Sequence, residues 1–336
     1  MKLNVRESAI NILIFYMLNL SLVSLRYVRN AFTNGNMVGN VTEVWYPFAT
    51  GVLNGGLPYI NHWDNKPPIF HFLNIIIAGT GHYMLTFYIL IGIANGTTAV
   101  LLWKWSRDAG YERIGVVAGI TYTGLLPLYV GTVINPRPFA MVAILCALLV
   151  SSPLSKGILI AIAGLFSQFS ILAIPGLLLH KYLDSSWSCE TPKNFIWIIK
   201  FCIAGLATVI ATYGLVGIIW NPETAIRGFE YNWLSTGEYV SGYTQRELTA
   251  WSDPISWGTA QITRARSMIP ALIFSMATVI HWKRNRPWVS LVPTSIICAT
   301  FLIFPIVIRP TSIYWLPALP FISILASFGI WTILEE

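Results

Sequence analysis

Charged side chains are scarce in this chain. Aspartate, glutamate, lysine and arginine together make up 10% of its 336 residues, against about 25% in an ordinary soluble domain. Water is therefore not its main solvent. Cysteine is also sparse, with four residues. Cys146, Cys202 and Cys298 lie inside apolar runs and Cys189 in a polar linker, so neither a disulfide framework nor a metal-binding spacing is visible. An internal repeat, a soluble domain at either end and a basic stripe are missing as well. The net charge of +7 is spread over loops. It reads as membrane orientation and argues against a nucleic-acid partner. No small-residue cleavage site follows the first apolar run at 8–25. Arg26 and Arg29 follow it instead, so the run is expected to stay as a first span.

What the chain has in quantity is apolar surface: hydrophobic residues make up 55%. They come in further runs at 84–103, 114–133, 139–151, 157–179, 195–219, 269–282, 289–308 and 313–334, and a span takes about 20 residues. Many tryptophans, Trp103, Trp197, Trp220 and Trp282 among them, sit near run ends, where indole favours the interface. The run 157–179 has two readings. It is one ordinary span, or two short helices that turn back near Ser167, Gln168 and Ser170. The hairpin puts all the short basic connections on one side, as the positive-inside rule favours. A turn at that depth would have to line a wet cavity. The expectation is an all-α integral membrane protein, one membrane domain over 1–336. Its helical bundle makes about ten passages and carries ordered outer loops. Both termini and the 181–194 linker are placed inside; 26–68 and 221–268 are placed outside.

The first outer loop, 26–68, carries the densest chemistry. Glu43 opens a short amphipathic stretch with Trp45, Phe48, Ala49, Val52 and Leu53 apolar, expected to lie along the interface. Gly55-Gly56 ends it, and Pro67-Pro68 starts a second juxtamembrane helix. Between them stands Asp64-Asn65-Lys66, expected to be held by His62 and Trp63.

The segment G-G-L-P-Y-I-N-H-W-D-N-K-P-P-I-F, residues 55–70, resembles the first-loop signature of the GT-C superfamily. More narrowly it resembles the branch of dolichyl-phosphate-mannose protein mannosyltransferases and lipid A aminoarabinose transferases. Y-W-L-P-A-L-P at 314–320 and I-N-P-R-P-F-A at 134–140 are similar to further elements of that branch. Thr42-Glu43 stands where those proteins carry an acidic pair, Asn65 where many have an acid, and Gln168 where lysine is frequent. The resemblance implies a GT-C-like fold and a multi-pass glycosyltransferase in the cell membrane. Such an enzyme moves a sugar, with inversion, from a polyprenyl-phosphate donor to an acceptor on the outer face. The acceptor is left open: protein, lipid or polymer.

Such a reaction needs cations for the phosphate, a base for the acceptor and an apolar groove for the lipid tail. Lys66 is the first candidate for the phosphate, with Arg137 and Arg309 as further contacts. The bland alternative for each is an interfacial anchor among membrane lipids. Glu43 is the candidate base, or else a charge favourable to a helix start. Asp64 is a second catalytic carboxylate, a ligand for sugar hydroxyls or a weakly bound divalent metal, or a partner of Lys66. Tyr59, His62, Asn65, Gln168 and Tyr314 complete the expected substrate pocket. No strongly bound metal or other cofactor is expected. The competing reading is a non-catalytic binding protein or flippase for lipid-linked sugars, which should show inverted repeats and mid-membrane charges.

Overall fold

The computed structural model describes residues 5–32, 41–62, 64–108, 110–129, 131–183, 192–234, 291–303 and 315–335. Trp63, Arg309, Tyr314 and 235–268 of the second long segment lie outside the described residues. Described regular structure is helical apart from one isolated bridge, Pro58 to His62. In chain order the helices are α1 (Val5–Phe32), α2 (Tyr46–Leu53), α3 (Pro68–Gly79), α4 (Tyr83–Asp108), α5 (Glu112–Leu125) and α6 (Arg137–Leu149). They continue with α7 (Pro153–Phe166), α8 (Ile174–Leu183), α9 (Pro192–Ile219), α10 (Pro222–Phe229), α11 (Leu291–Ile303) and α12 (Leu319–Glu335).

Among the described residues, three helices are long and apolar enough to cross a membrane: Glu7–Phe32, Tyr83–Asp108 and Phe195–Ile219. This overturns the expected GT-C-like, multi-pass bundle of about ten passages. Among the described residues, the physical reason is where other apolar runs break. The run 114–133 stops being α-helical at Leu125, where Leu126–Tyr129 tightens into a 3-10 turn containing Pro127. The run 157–179 is cut at Ser167, where the two-helix reading put its turn; the backbone there is extended, before the 3-10 segment Gln168–Ala173. In the last run the 3-10 turn Leu316–Ala318, with Pro317, interrupts the helix before Leu319–Glu335. Apolar helices of 10–17 residues remain. They rise about 15–26 Å, short of the ~30 Å hydrocarbon core.

The three long helices make this a membrane-associated protein, and their surfaces agree. The most apolar windows of Glu7–Phe32 and Phe195–Ile219 are only 17% buried. Leu13, Met17 and Leu25 on α1, and Ile203, Leu206 and Ile210 on α9, point away from the protein. In water such a surface would drive aggregation; in lipid it costs nothing.

Packing between the helices depends on small residues and satisfied polar groups, as apolar solvent requires. A Cβ at Gly92 would stand 2.8 Å from Val23, and one at Gly96 2.6 Å from Tyr16, so glycine is what lets α1 approach α4. Tyr16 shares a 2.9 Å hydrogen bond with Thr97. The Asn19 amide donates to Thr123 at 3.0 Å, tying α1 to α5. Asn95 donates to the Gly131 carbonyl at 2.9 Å and accepts from Tyr122 at 3.0 Å. Trp103, Leu102, Tyr122, Ile144, Phe321 and Ile322 belong to one buried core joining α4, α5, α6 and α12. At the end of α6, the buried Lys156 ammonium donates to the Ala147 carbonyl at 2.7 Å, closing carbonyls the helix leaves open.

Candidate functional site

The first loop folds into a compact cap. Val41–Trp45 forms one π-helical turn that runs into α2. Pro47 at its second position favours that start. Helix α2 stops at Leu53, with Gly55 at φ +93°, a conformation that glycine adopts without strain. A tight turn follows. Leu57 donates to the Asn61 side chain at 2.8 Å, and Tyr59 donates to the His62 carbonyl at 2.9 Å. Pro67 then caps α3, whose first residue is Pro68. The apolar face of α3 buries Phe70 and Ile77, and on the same side it buries His71 and Asn74.

That polar pair on α3 organises the site. The Asn74 amide donates to the Trp45 carbonyl at 2.7 Å and accepts from the Tyr83 hydroxyl, locking the π-turn to α3 and α4. His71 faces Asp64, with Nε2 3.1 Å from Oδ2. Both residues are almost fully buried. The two atoms are close enough for a hydrogen bond but are not aligned as one, so attraction between the carboxylate and the imidazole dipole carries the contact. Burial pushes the Asp64 carboxyl upward, but His71 and the Lys66 charge outweigh it and hold the group below the usual aspartate range. Burial pushes His71 below its ordinary value, and Asp64 only partly offsets that. The pair is therefore a carboxylate beside a neutral imidazole. Phe48 stacks on the ring, centroids 3.7 Å apart, which excludes water.

The turn containing Lys66 is pinned from several sides. The Lys66 ammonium donates to Asn65 Oδ1 at 2.6 Å. The Tyr59 hydroxyl donates to the Lys66 carbonyl at 3.0 Å. The Gln168 amide donates to the Asn65 carbonyl and, at 3.3 Å, to the Asn232 carbonyl. Asn232 and Trp233 in turn donate to the Tyr213 hydroxyl at 3.0 Å each. Tyr59 has φ +62°, a conformation costing of order 1–3 kcal/mol for a side chain of this kind. It is held there by its ring, which lies edge-on to Phe48 and His71 and against Gly228, where a Cβ would be 2.8 Å away.

Tyr59, Asp64, Asn65, Lys66 and Gln168 are thus brought together. His62 joins the turn through its backbone, whose carbonyl accepts from Tyr59, while its side chain lies elsewhere. Its imidazole lies over α2, so close that a Cβ at Gly51 would meet it at 2.0 Å. His71 and Tyr59 hold the turn instead. Glu43 is exposed on the π-turn, one residue after Thr42. Arg137 is the first residue of α6 and is buried, with its backbone N–H on Asn135 Oδ1 at 3.0 Å. The turn before it, 131–136, is buried as well. His71 was missed by sequence reasoning, although its spacing to Asn74 was a signal: two polar residues three apart on one face of an otherwise apolar helix. Asn232, Trp233 and Tyr213 had no such signal, because they reach the loop from more than 140 residues downstream.

Among the described residues, no group of three or more His, Cys, Asp or Glu is placed to hold a metal ion. The cap sits where the long helices end. Tyr27 near the end of α1 contacts Tyr88 of α4. Tyr46 contacts Tyr83 at the start of α4, and Trp220 after α9 stacks on Phe72 of α3. Fold and site together define a membrane-associated helical protein with a rigid polar cap at one end of its long helices. No protein-family model, curated protein or solved structure matches this chain, so the GT-C likeness rests on its motifs alone.

Proposed function

We propose that this protein transfers a sugar from a polyprenyl-phosphate donor to an acceptor at the outer face of the membrane. One observation carries the reading: the fixed turn Asp64-Asn65-Lys66 at the ends of the long helices. Side chains from α3, from the Tyr59 turn and from the Gln168 segment all anchor it. A lysine on a preset backbone offers a point charge to a phosphate with little ordering cost. Its place beside the helix ends suits a phosphate whose lipid tail stays in the bilayer. Glu43, exposed on the π-turn, is assigned the acceptor's proton from its position in the resembling motif. Asp64 is buried and committed to His71, so its role is to position the lysine's turn. Lys66 neutralises the charge that develops on the leaving phosphate, an electrostatic contribution that grows as water is excluded.

The test is donor binding. A charge-assisted contact is worth about 1.5–3 kcal/mol, so Lys66→Ala should weaken binding of polyprenyl-phosphate sugars roughly ten- to a hundred-fold. Lys66→Arg should restore it in part. Equal binding by a folded Lys66→Ala protein would reduce the residue to a headgroup anchor. Donor binding without any transfer by the parent would favour the non-catalytic binding protein.

A further inference from the structure

A second feature borders this site and shares Tyr83 with it. A cavity of about 480 Å³ opens between the end of α1, the π-turn and the start of α4. Its walls include Tyr27, Thr42, Tyr46, His82, Met84 and Leu85. The volume falls within the roughly 300–1,000 Å³ of small-molecule sites. The walls are mostly apolar side-chain bodies, with phenol, hydroxyl and imidazole groups among them. That mixture suits the interface between hydrocarbon and headgroups. Depth agrees with chemistry, because two of the three long helices end or begin at the cavity.

Charge narrows the ligand further. Arg26 and Arg29 stand three residues apart near the end of α1, on one side of the helix. Arg26 contacts the Tyr88 hydroxyl, and the Tyr88 ring lies edge-on to Tyr27, 5.7 Å between centroids. Tyr27 is itself a wall of the cavity. Arg26 therefore stands two contacts away, through Tyr88 and Tyr27, from an apolar hole at headgroup depth, with Arg29 one turn further along α1. Neither these two arginines nor Lys66, the lysine assigned to the donor's phosphate, line the cavity themselves.

We propose that the cavity holds the apolar chain of an anionic membrane phospholipid, with its phosphate beside Arg26 and Arg29. The lipid would wedge α1, the π-turn and α4 together, and so hold in place the turn that carries Glu43. This site does not depend on the transferase reading.

The probe is phosphatidylglycerol with a photoactivatable group in its acyl chain, mixed into phosphatidylcholine vesicles that contain the full-length protein. After irradiation, cross-links are mapped by mass spectrometry. The expected result is labelling within 41–46 or 81–85. Met84→Trp and, from the opposite wall, Thr42→Trp fill the hole and should cut that labelling by about tenfold or more. Labelling of the lipid-facing side of α9 at Ile203, Leu206 and Ile210 should stay unchanged, which also reports an intact fold. The double variant Arg26→Gln, Arg29→Gln should remove the preference over photoactivatable phosphatidylcholine. Labelling that both filling variants leave intact would overturn the proposal. So would equal labelling by the two lipids in the parent. Displacement by excess unlabelled polyprenyl phosphate would reassign the cavity to the donor's chain.

Discussion

Replacing His71 by phenylalanine tests the assignment of Asp64 and His71 as the clamp of the lysine turn. Phenylalanine keeps the flat ring and the stack on Phe48 at 3.7 Å. It removes both ring nitrogens, one of them 3.1 Å from the Asp64 carboxylate. An aligned hydrogen bond to a charged group contributes about 1.5–3 kcal/mol. The misalignment here puts the loss near the lower end, at roughly 1.5 kcal/mol. Acid dependence gives an independent sign. His71 is held below its ordinary value by burial, so on acidification the unfolded chain takes up a proton near pH 6.5 that the folded chain refuses. The parent's stability is therefore fully present above that pH and falls as pH drops from it toward the lowered folded value. The variant lacks this step and should lose less between pH 7 and 5. Asp64, depressed in the parent, adds a loss only below its ordinary range, and in the variant its pKa moves up. Thermal unfolding of the detergent-solubilised proteins, followed by circular dichroism across pH 4–8, reads both effects. A variant as stable as the parent at pH 7, with the same slope between pH 7 and 5, would refute the clamp.

Three other outcomes follow from the geometry. Gly157→Ala places a Cβ 2.2 Å from the Phe201 carbonyl oxygen; backbone cannot swing aside, so α7 and α9 must separate, costing about 1–3 kcal/mol in the same unfolding assay. Lys156→Ala leaves the Ala147 carbonyl without its 2.7 Å donor and should cost roughly 1–3 kcal/mol. Because burial pulls the Lys156 pKa down to about 8, the parent should gain stability as pH rises from about 8 toward the ordinary lysine value near 10.4, and the Lys156→Ala protein should not.

Local signals in the sequence marked the cap well. Pro67-Pro68 announced the start of α3, and Gly55 the end of α2, because each acts on its own backbone. The three long helices followed from apolar length. Passage number did not, because hydropathy does not see where a helix stops. Pro127 and Pro317 lie in 3-10 turns that interrupt apolar runs, whereas the break at Ser167 fell where the two-helix reading of 157–179 put it. His62 was the nearest imidazole to Asp64 in sequence, yet the fold uses His71. The reason is helical phase: α3 turns position 71 inward together with Phe70 and Asn74, while the Gly51 and Gly56 notches draw His62 onto α2. Gln168 was expected in the pocket and donates to Asn65. Asn232, which shares that amide, was hidden by chain distance.

The central claim is sugar transfer with Glu43 as the base, and it reduces to one comparison. Purified parent and Glu43→Gln proteins are given radiolabelled polyprenyl-phosphate sugars in vesicles, and donor binding and released lipid phosphate are measured together. Glutamine is nearly isosteric, and Trp45, Phe48 and Val52 still bury the stretch, so fold and donor binding should be kept. Losing a positioned base should slow turnover about a hundred- to ten-thousand-fold, whereas losing a helix-end charge costs only about 0.3–1 kcal/mol of stability. The account predicts bound donor with turnover lost in Glu43→Gln. A Glu43→Gln protein that releases lipid phosphate within a few-fold of the parent would contradict it.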